Sequence, residues 1–517
     1  MEFRDHFVRG VVRLSALNPR VALLLIASAA VLLRLPPAAL IHLTEDEAYY
    51  RLWAQHLQLG YYDHPPMIAW WIAAGSAWLG DNPLGVRLLP TLATGVTTWL
   101  AGDLAMRLGL SPRTAIRSAI LYNATLTVAL GGLLAVPDAP NSFFWIATLW
   151  TLALIREGRS SGWWVAAGFA AGLACLSKYS ALFLAPGVVL WLAADPARRK
   201  ELARPYAWIA AAVALAVFAA NVAWNASHGW VTFAKQFGRA GATGLHLNYL
   251  PEFLLTQFFL LNPAVSLLAG RQVVKDIADP HRGASPTWLL TATTLPFFGY
   301  LLLHSLHARV QGHWPVPVFA PLAICAAAAY ESTAGKRFVA WGVRIAAAFA
   351  FAVSAVVLIH LARPKIGSIG VGDPAQPVVG WRDFARAVEQ QRRADGAGWV
   401  GVLNYGLYGQ LDIEGQIAAP LLQINERARY PWRGASPDLT APGLLIDLDR
   451  RLDSTDLKHC FGDVRRGPVL ERGFKSGPVL RYATYLVARP KVDLWNDGCV
   501  FKGDILPSFG RLGGAKP

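Results

Sequence analysis

The sequence predicts a polytopic α-helical membrane protein carrying a small C-terminal α/β domain outside the bilayer. Hydrophobic residues make up 54% of the 517 and charged residues only 16%, with 20 tryptophans, a balance far from that of soluble proteins. Apolar runs close to the ~20 residues that cross a hydrocarbon layer recur from Val21 to Ile359 and then stop. Beyond Arg363 the runs shorten, Gly and Pro punctuate, and charges of both signs mix.

Taken in order, the runs are Val21–Ile41, Leu84–Met106, Thr114–Leu134, Asn141–Ile155, Trp163–Leu176 and Ser180–Ala193. Tyr206–Trp224, Leu250–Ala269, Trp288–His304, Trp314–Tyr330 and Phe338–Ile359 follow, about eleven in all. Arg4, Arg9 and Arg13 precede a first run without a small-residue cleavage site, so it is expected to be a retained span. Pro65–Leu79 is apolar but shorter. Laid along the membrane surface, with Trp70, Trp71 and Trp78 at headgroup level, it leaves the basic N-terminus on one side. The clusters at Arg107 and Arg113, Arg156 and Arg159, Arg198 to Arg204, Arg271 and Lys275, and Lys336 and Arg337 then share that side. Positive-inside is satisfied throughout, and the net charge of +15 needs no nucleic acid to explain it.

The same arithmetic sends residues 41–64, 136–141, the turn at Lys178, residues 225–249, His307–His313 and everything after Pro364 to the outer face. The expected domains are a membrane domain over 1–363, with an outer loop at 41–83 holding interfacial helices, and an outer α/β domain over 364–517. In the latter, Gly380–Arg393 has helical spacing of Trp381, Phe384, Ala385 and Val388. Val400–Tyr405, Gly443–Leu448, Val469–Arg472 and Arg481–Ala488 read as strands. Cys175 and Cys325 sit in apolar runs, whereas Cys460 and Cys499 are free to pair in an oxidising compartment.

Chemistry is expected where polar residues gather on that face. Glu45, Asp46 and Glu47 follow the first apolar run; Thr44 with Glu47 three residues on also fits a capping box, so capping competes with catalysis there. Asp138 stands between Pro137 and Ala139-Pro140, where prolines end the helix and fix the turn. Two carboxylate positions on one face suit a reaction that needs a base or a metal. His64, Lys178, His228, Arg239, His307, Arg309 and His313 supply groups that hold a phosphate. Arg239, His228 and His307 also read as simple headgroup contacts. Lys178, held between two apolar runs, is the strongest of the set. No Walker loop, Gly-rich dinucleotide fingerprint, paired-Cys zinc spacing or Gly-x-Ser-x-Gly elbow is found.

Thr-Glu-Asp-Glu-Ala-Tyr-Tyr, Tyr-Asp-His-Pro-Pro, Val-Pro-Asp-Ala-Pro, Leu-Ser-Lys-Tyr and Gly-His-Trp-Pro-Val-Pro occur in that order over residues 20–360. Together they resemble the GT-C glycosyltransferases that take sugars from polyprenyl phosphates, above all the bacterial protein-mannosyltransferase-like group that includes the lipid A aminoarabinose transferases. That resemblance implies a GT-C-like fold of about 11–13 transmembrane helices. It maps the catalytic acid to Asp46 with Glu47 beside it, and a second acid to Asp138. It also implies Lys178, His64 and Arg309 on the donor phosphate, and Tyr49, Tyr50, Asp63, Tyr179 and His313 as substrate contacts. The aminoarabinose transferases have Lys-Pro-Pro where this chain has His64-Pro65-Pro66, so a lysine role passes to Lys178 rather than His64. Whether a divalent metal joins Asp46 and Asp138 stays open, and no other cofactor is implied.

The implied activity is sugar transfer from a polyprenyl-phosphate donor to lipid A or another glycolipid, on the periplasmic face of a bacterial inner membrane. A protein acceptor is the alternative within the family. A secondary transporter is the alternative outside it, disfavoured because such proteins carry repeats and broken helices near the midplane, whereas here polar residues gather at one face.

Overall fold

The computed structural model describes residues 17–501 apart from 241–243, 334–336, 364–371, 433, 453 and 475–476. Arg4, Arg9, Arg13 and Lys336, and the side chain of Arg239, lie outside what is described.

The membrane part is helical, as the apolar runs require. Pro19–Leu40, Pro205–Ser227 and Arg337–Ala362 are each long and apolar enough to cross a bilayer, and two bent helix pairs bring the number to five among the described residues. Met67–Leu79, Trp163–Cys175, Trp288–His304 and Val316–Ser332 are shorter apolar helices. Pro83–Arg107 and Asp138–Arg156 complete the packing around the centre, where Trp145, Leu149 and Leu290 are wholly enclosed. Met67–Leu79 is the helix expected at the surface.

Three expected spans are broken rather than continuous. Thr114–Leu134 divides into Pro112–Asn123 and Leu126–Gly131, because Ala124 leaves the helix and Thr125 turns its hydroxyl back to the Tyr122 carbonyl at 2.9 Å. Leu250–Ala269 bends by 109° between Tyr249–Leu260 and Pro263–Ala278. Pro263 cannot continue the preceding helix and instead starts the next one, with Asn262 at φ +79° capping it. Ser180–Ala193 begins as a 3-10 turn, Tyr179–Phe183, before Leu184–Ala194, so Lys178 stands at an extended break between two helices.

The C-terminal domain is built on a six-stranded sheet: β1 Trp399–Val402, β2 Leu421–Gln423, β3 Gly443–Leu448, β4 Phe461–Arg466, β5 Leu470–Phe474 and β6 Gly477–Pro490. The order is β2-β1-β3-β6-β4, with β5 also on β6. β1 runs parallel to β2 and β3, with Val400 opposite Leu421 and Leu444; β6 is antiparallel to β3, β4 and β5. The expected helix is present as Trp381–Ala394 and buries Trp381, Phe384, Ala385 and Val388. The expected strand over Val400–Tyr405 stops at Val402 because Asn404 caps a further helix, Tyr405–Glu414, with bonds to the Gly406 and Leu407 N–H groups. Cys460 and Cys499 are disulfide-bonded, and Cys175 and Cys325 are free and buried.

Helix Tyr405–Glu414 docks the domain onto helix Glu45–Gln55. Gly406 and Gly409, three residues apart and so on one face, make the contact. A Cβ at 409 would lie 2.9 Å from the Ala48 carbonyl carbon and the Tyr49 nitrogen, and one at 406 would lie 2.7 Å from Glu45 Cβ. Glycine lets the two backbones meet.

Candidate active site

Residues from the five loop segments expected on the outer face (41–64, 136–141, the turn at Lys178, 225–249 and 307–313) line one cavity of about 1290 Å³. Asp46, Asp63, His64, Asp138, Lys178, Gln236, Arg309 and His313 all line it, and Tyr405, Arg429 and Asp447 enter from the C-terminal domain. Phe183, Phe297, Tyr300 and Leu301 give it a largely apolar wall.

Asp138 opens its helix, and Lys178 reaches it from the break after Cys175. Lys178 Nζ donates to Asp138 Oδ1 at 2.7 Å, and both side chains are nearly enclosed. His313 Nε2 lies 3.8 Å from Asp138 Oδ2. Asn141 Nδ2 donates to Ser180 Oγ at 2.9 Å, a second tie between the same two segments. Burial holds the His313 imidazole below its usual pKa, against the opposing pull of Asp138. It is therefore a neutral donor or acceptor near pH 7 rather than a fixed cation.

Asp46 is open to cavity water yet ringed by protein. Its Oδ1 accepts from the Tyr405 hydroxyl at 2.9 Å. Burial raises its carboxyl above the usual range, and the Tyr405 hydrogen bond and His313 only partly offset this. Such a carboxylate is a stronger base than a solvated aspartate.

Glu47 has a different place. Successive helical residues point about 100° apart, and Glu47 turns into the protein, fully enclosed, away from the cavity. Arg87 Nε and Nη2 donate to its two oxygens at 2.7 and 2.6 Å. The Ala135 and Thr44 N–H groups add bonds of 3.0 Å each. Thr44 Oγ1 accepts from Glu47 N, so the capping box is formed. Burial alone would raise this carboxyl; Arg87 and the backbone donors outweigh it and hold it low. With both carboxylate oxygens committed, Glu47 shapes the entry to the helix and does not line the cavity. Arg309 is likewise peripheral: it is 67% exposed at the cavity mouth and pairs with Glu252 at 2.5 Å.

The remaining expected contacts divide. Tyr49 donates to Asp63 Oδ2 at 3.0 Å, and Tyr50 and His64 line the cavity with ring centroids 6.3 Å apart. Tyr179 lines it too, but its hydroxyl donates to Asn221 Oδ1 at 2.8 Å.

Asp63 belongs to a group whose other members were not foreseen. Arg429 binds both Asp63 and, at 2.7 Å, Glu426; Lys235 Nζ donates to Glu426 Oε1 at 3.1 Å and lies 3.9 Å from Asp63. Two cations and two carboxylates thus alternate. The Arg429 guanidinium also lies 4.7 Å from the ring centroids of Tyr405 and Tyr62, which fixes the tyrosine bound to Asp46. Burial, helped by Arg429, depresses Lys235 from its usual pKa against the pull of both acids. Nothing in the local sequence around Arg429 or Tyr405 signals this, because both come from another domain.

Among the described residues no group of three or more His, Cys, Asp or Glu side chains is arranged to hold a metal ion. Asp138 is committed to Lys178, and Asp46 to Tyr405.

Residues 63–224 match the family of dolichyl-phosphate-mannose-protein mannosyltransferases. The chain is 30% identical over 280 residues to a lipid A galacturonosyltransferase, RgtD, of Rhizobium johnstonii, covering 53% of this chain and 58% of that protein. It is 37% identical over 144 residues to an undecaprenyl phosphate-α-4-amino-4-deoxy-L-arabinose arabinosyl transferase of Pseudomonas fluorescens, covering 26% of each. The chain thus matches under two thirds of the length of either curated relative. In fold it is similar to ArnT from Cupriavidus metallidurans bound to undecaprenyl phosphate, with a TM-score of 0.61 at 14% identity over 89% of this chain and 97% of that one. The helical membrane body and the small C-terminal sheet domain agree with these likenesses, and the chain has a GT-C-like fold.

Proposed function

We propose that the protein transfers a sugar from a polyprenyl-phosphate donor to lipid A or another envelope glycolipid, at the periplasmic face of a bacterial inner membrane. The observation that carries this reading is the cavity itself. A buried lysine–carboxylate pair, Lys178 and Asp138, shares it with an apolar wall on one side and a basic Asp46 on the other. A lipid phosphate needs both cation and apolar surface, and a sugar acceptor needs a base. The lipid A and undecaprenyl-phosphate activities named for the two relatives support the same substrates. The Cys460–Cys499 disulfide supports an oxidising outer compartment for the C-terminal domain.

In this reading the donor phosphate lies against Lys178, with His313 and His64 beside it, and its chain follows Phe183, Phe297 and Leu301. The acceptor oxygen attacks the anomeric carbon and gives its proton to Asp46. The bond from that carbon to the phosphate oxygen breaks, and the phosphate leaves with the electron pair. A phosphate is already a stable leaving group, so no acid need protonate it; Lys178 balances its charge. Asp138 positions Lys178. Placement of donor and acceptor supplies much of the rate.

Mass spectrometry of lipid A and of envelope proteins from a deletion strain and its parent tests the reading. Loss of one hexose, pentose or uronic acid from lipid A is expected. An unchanged lipid A beside altered glycoproteins would replace the glycolipid acceptor with a protein one.

A further inference from the structure

Gln257 is an amide set in an apolar helix, Tyr249–Leu260. It is only 6% exposed, and a buried amide in such surroundings is destabilising unless its hydrogen bonds are used. Its Nε2 donates to the Gly312 carbonyl at 3.0 Å. Among the described residues its Oε1 has no partner, so the bond to Gly312 is what the amide is there to make.

Gly312 precedes His313, whose side chain is 53% exposed and lines the cavity. Among the described residues the imidazole makes no hydrogen bond of its own, and its Nε2 lies 3.8 Å from Asp138 Oδ2, too far for one. Asp46 and Lys178 also act on it. The ring is therefore aimed by its backbone, and whatever holds that backbone decides where the ring stands.

Four ties hold the loop to the segment before it. His246 N donates to the Leu306 carbonyl at 2.7 Å, His307 Nδ1 to the Gly244 carbonyl at 2.7 Å, and Arg309 Nε to Glu252 Oε1 at 2.5 Å. His246, His307 and Arg309 are exposed, and bonds open to water contribute little. The fourth tie, from Gln257, is enclosed and adjoins His313. Gly312 packs closely there, since a Cβ on it would lie 2.8 Å from Leu260 Cδ1 and 3.2 Å from Thr256 Cγ2. The helix carrying Gln257 is itself fixed. It stops at the 109° bend, where Asn262 Nδ2 donates to the Ala124 and Ala346 carbonyls at 3.1 and 3.0 Å. Ala124 is the break from which the chain runs on to Asp138, so the supports of His313 and Asp138 are joined at Asn262.

Resting on the transferase reading above, we propose that Gln257 is a positioning residue: through the Gly312 carbonyl it holds the His313 imidazole beside Asp138, where the ring donates to the leaving phosphate oxygen. Gln257 is not among the residues that line the cavity and acts only through His313. A donor aimed at an oxygen that gains charge acts more strongly in the transition state than in the bound complex. Its misalignment therefore lowers kcat rather than raising KM.

Steady-state transfer by the full-length protein in nanodiscs tests this with a double-mutant cycle. Gln257→Met keeps length and apolar fit but donates nothing. It should lower kcat about tenfold with both KM values within about twofold, and in a His313→Ala background it should lower kcat less than about twofold, because the ring it aims is gone. An equal fall in both backgrounds, or a Gln257→Met enzyme as fast as the parent, would overturn the positioning. Gly312→Val crowds the same contact from the loop side and should follow the same pattern, which keeps the test valid should Gln257→Met fold poorly. Spin labels on Leu57→Cys, at an exposed position, and His313→Cys give a readout free of activity. They should report one narrow distance in the otherwise parental chain and a broadened one with Gln257→Met; an unchanged width would overturn the inference. A parent that transfers no sugar, with a distance that still broadens in Gln257→Met, would overturn the transferase reading while upholding the positioning.

Discussion

Lys178 Nζ and Asp138 Oδ1 meet at 2.7 Å, although 40 residues separate them in the chain. The cation assigned to the donor phosphate is thus held by a carboxylate before any donor arrives. Lys178→Ala should raise the donor KM at least tenfold, about 1.4 kcal/mol of binding, with a smaller change in kcat. Steady-state kinetics with varied donor at saturating acceptor checks this; an unchanged donor KM would remove Lys178 from the phosphate.

Tyr405 donates to Asp46 and so favours its ionised form. If Asp46 acts as a carboxylate, kcat/KM falls as pH drops through its raised pKa. Tyr405→Phe removes a bond that lowers that pKa, so the acid limb should move to higher pH. A pH profile of kcat/KM reads it directly, and a limb that stays in place or moves down would contradict the assignment.

Glu47 and Arg87 form a wholly enclosed ion pair. Glu47→Ala leaves a buried guanidinium without its partner, at a cost of about 3–5 kcal/mol. Since folding lowers the Glu47 pKa, the stability it contributes is present above the usual carboxylate range. It is lost as pH falls through the lowered value. Thermal unfolding in detergent should show a large drop for Glu47→Ala at pH 7 that narrows in strong acid. A variant as stable as the parent would refute the structural role.

Gly409 touches the backbone of Ala48 and Tyr49. Neither neighbour is a side-chain end that swings aside, so Gly409→Val should pry the C-terminal helix from helix Glu45–Gln55. Overpacking of this kind costs about 1–3 kcal/mol. It should also carry Tyr405 off Asp46 and cut turnover more than tenfold. Bifunctional crosslinking between cysteines placed at 51 and 412, where Arg51 and Asp412 meet across the same two helices, reports the contact; full turnover in Gly409→Val would show that the domain's docking is dispensable.

The sequence makes Asp46, Asp138, Lys178 and His313 legible because each stands at the outer end of an apolar run, where a charge needs a reason. It does not say which of Asp46 and Glu47 faces the cavity. That depends on how the helix is turned about its axis, and the capping box that Thr44 and Glu47 form decides it. The breaks at Ala124 and Asn262 lie inside apolar stretches whose composition suggests a continuous span. Only Pro263 among the neighbouring residues signals a bend. Tyr405 and Arg429 are invisible at the start because their partners Asp46 and Asp63 lie 359 and 366 positions away in the chain, and two glycines hold the docking of the C-terminal domain that brings them together.

The central claim is that Asp46 is the base of a sugar transfer fed by a lipid phosphate. Purified protein in nanodiscs, given a radiolabelled polyprenyl-phosphate sugar and lipid A, measures it. Asp46→Asn, which keeps shape and most hydrogen bonding, should bind donor as the parent does and lose at least a hundredfold in transferred label. Transfer at near-parental rate by Asp46→Asn would contradict the account.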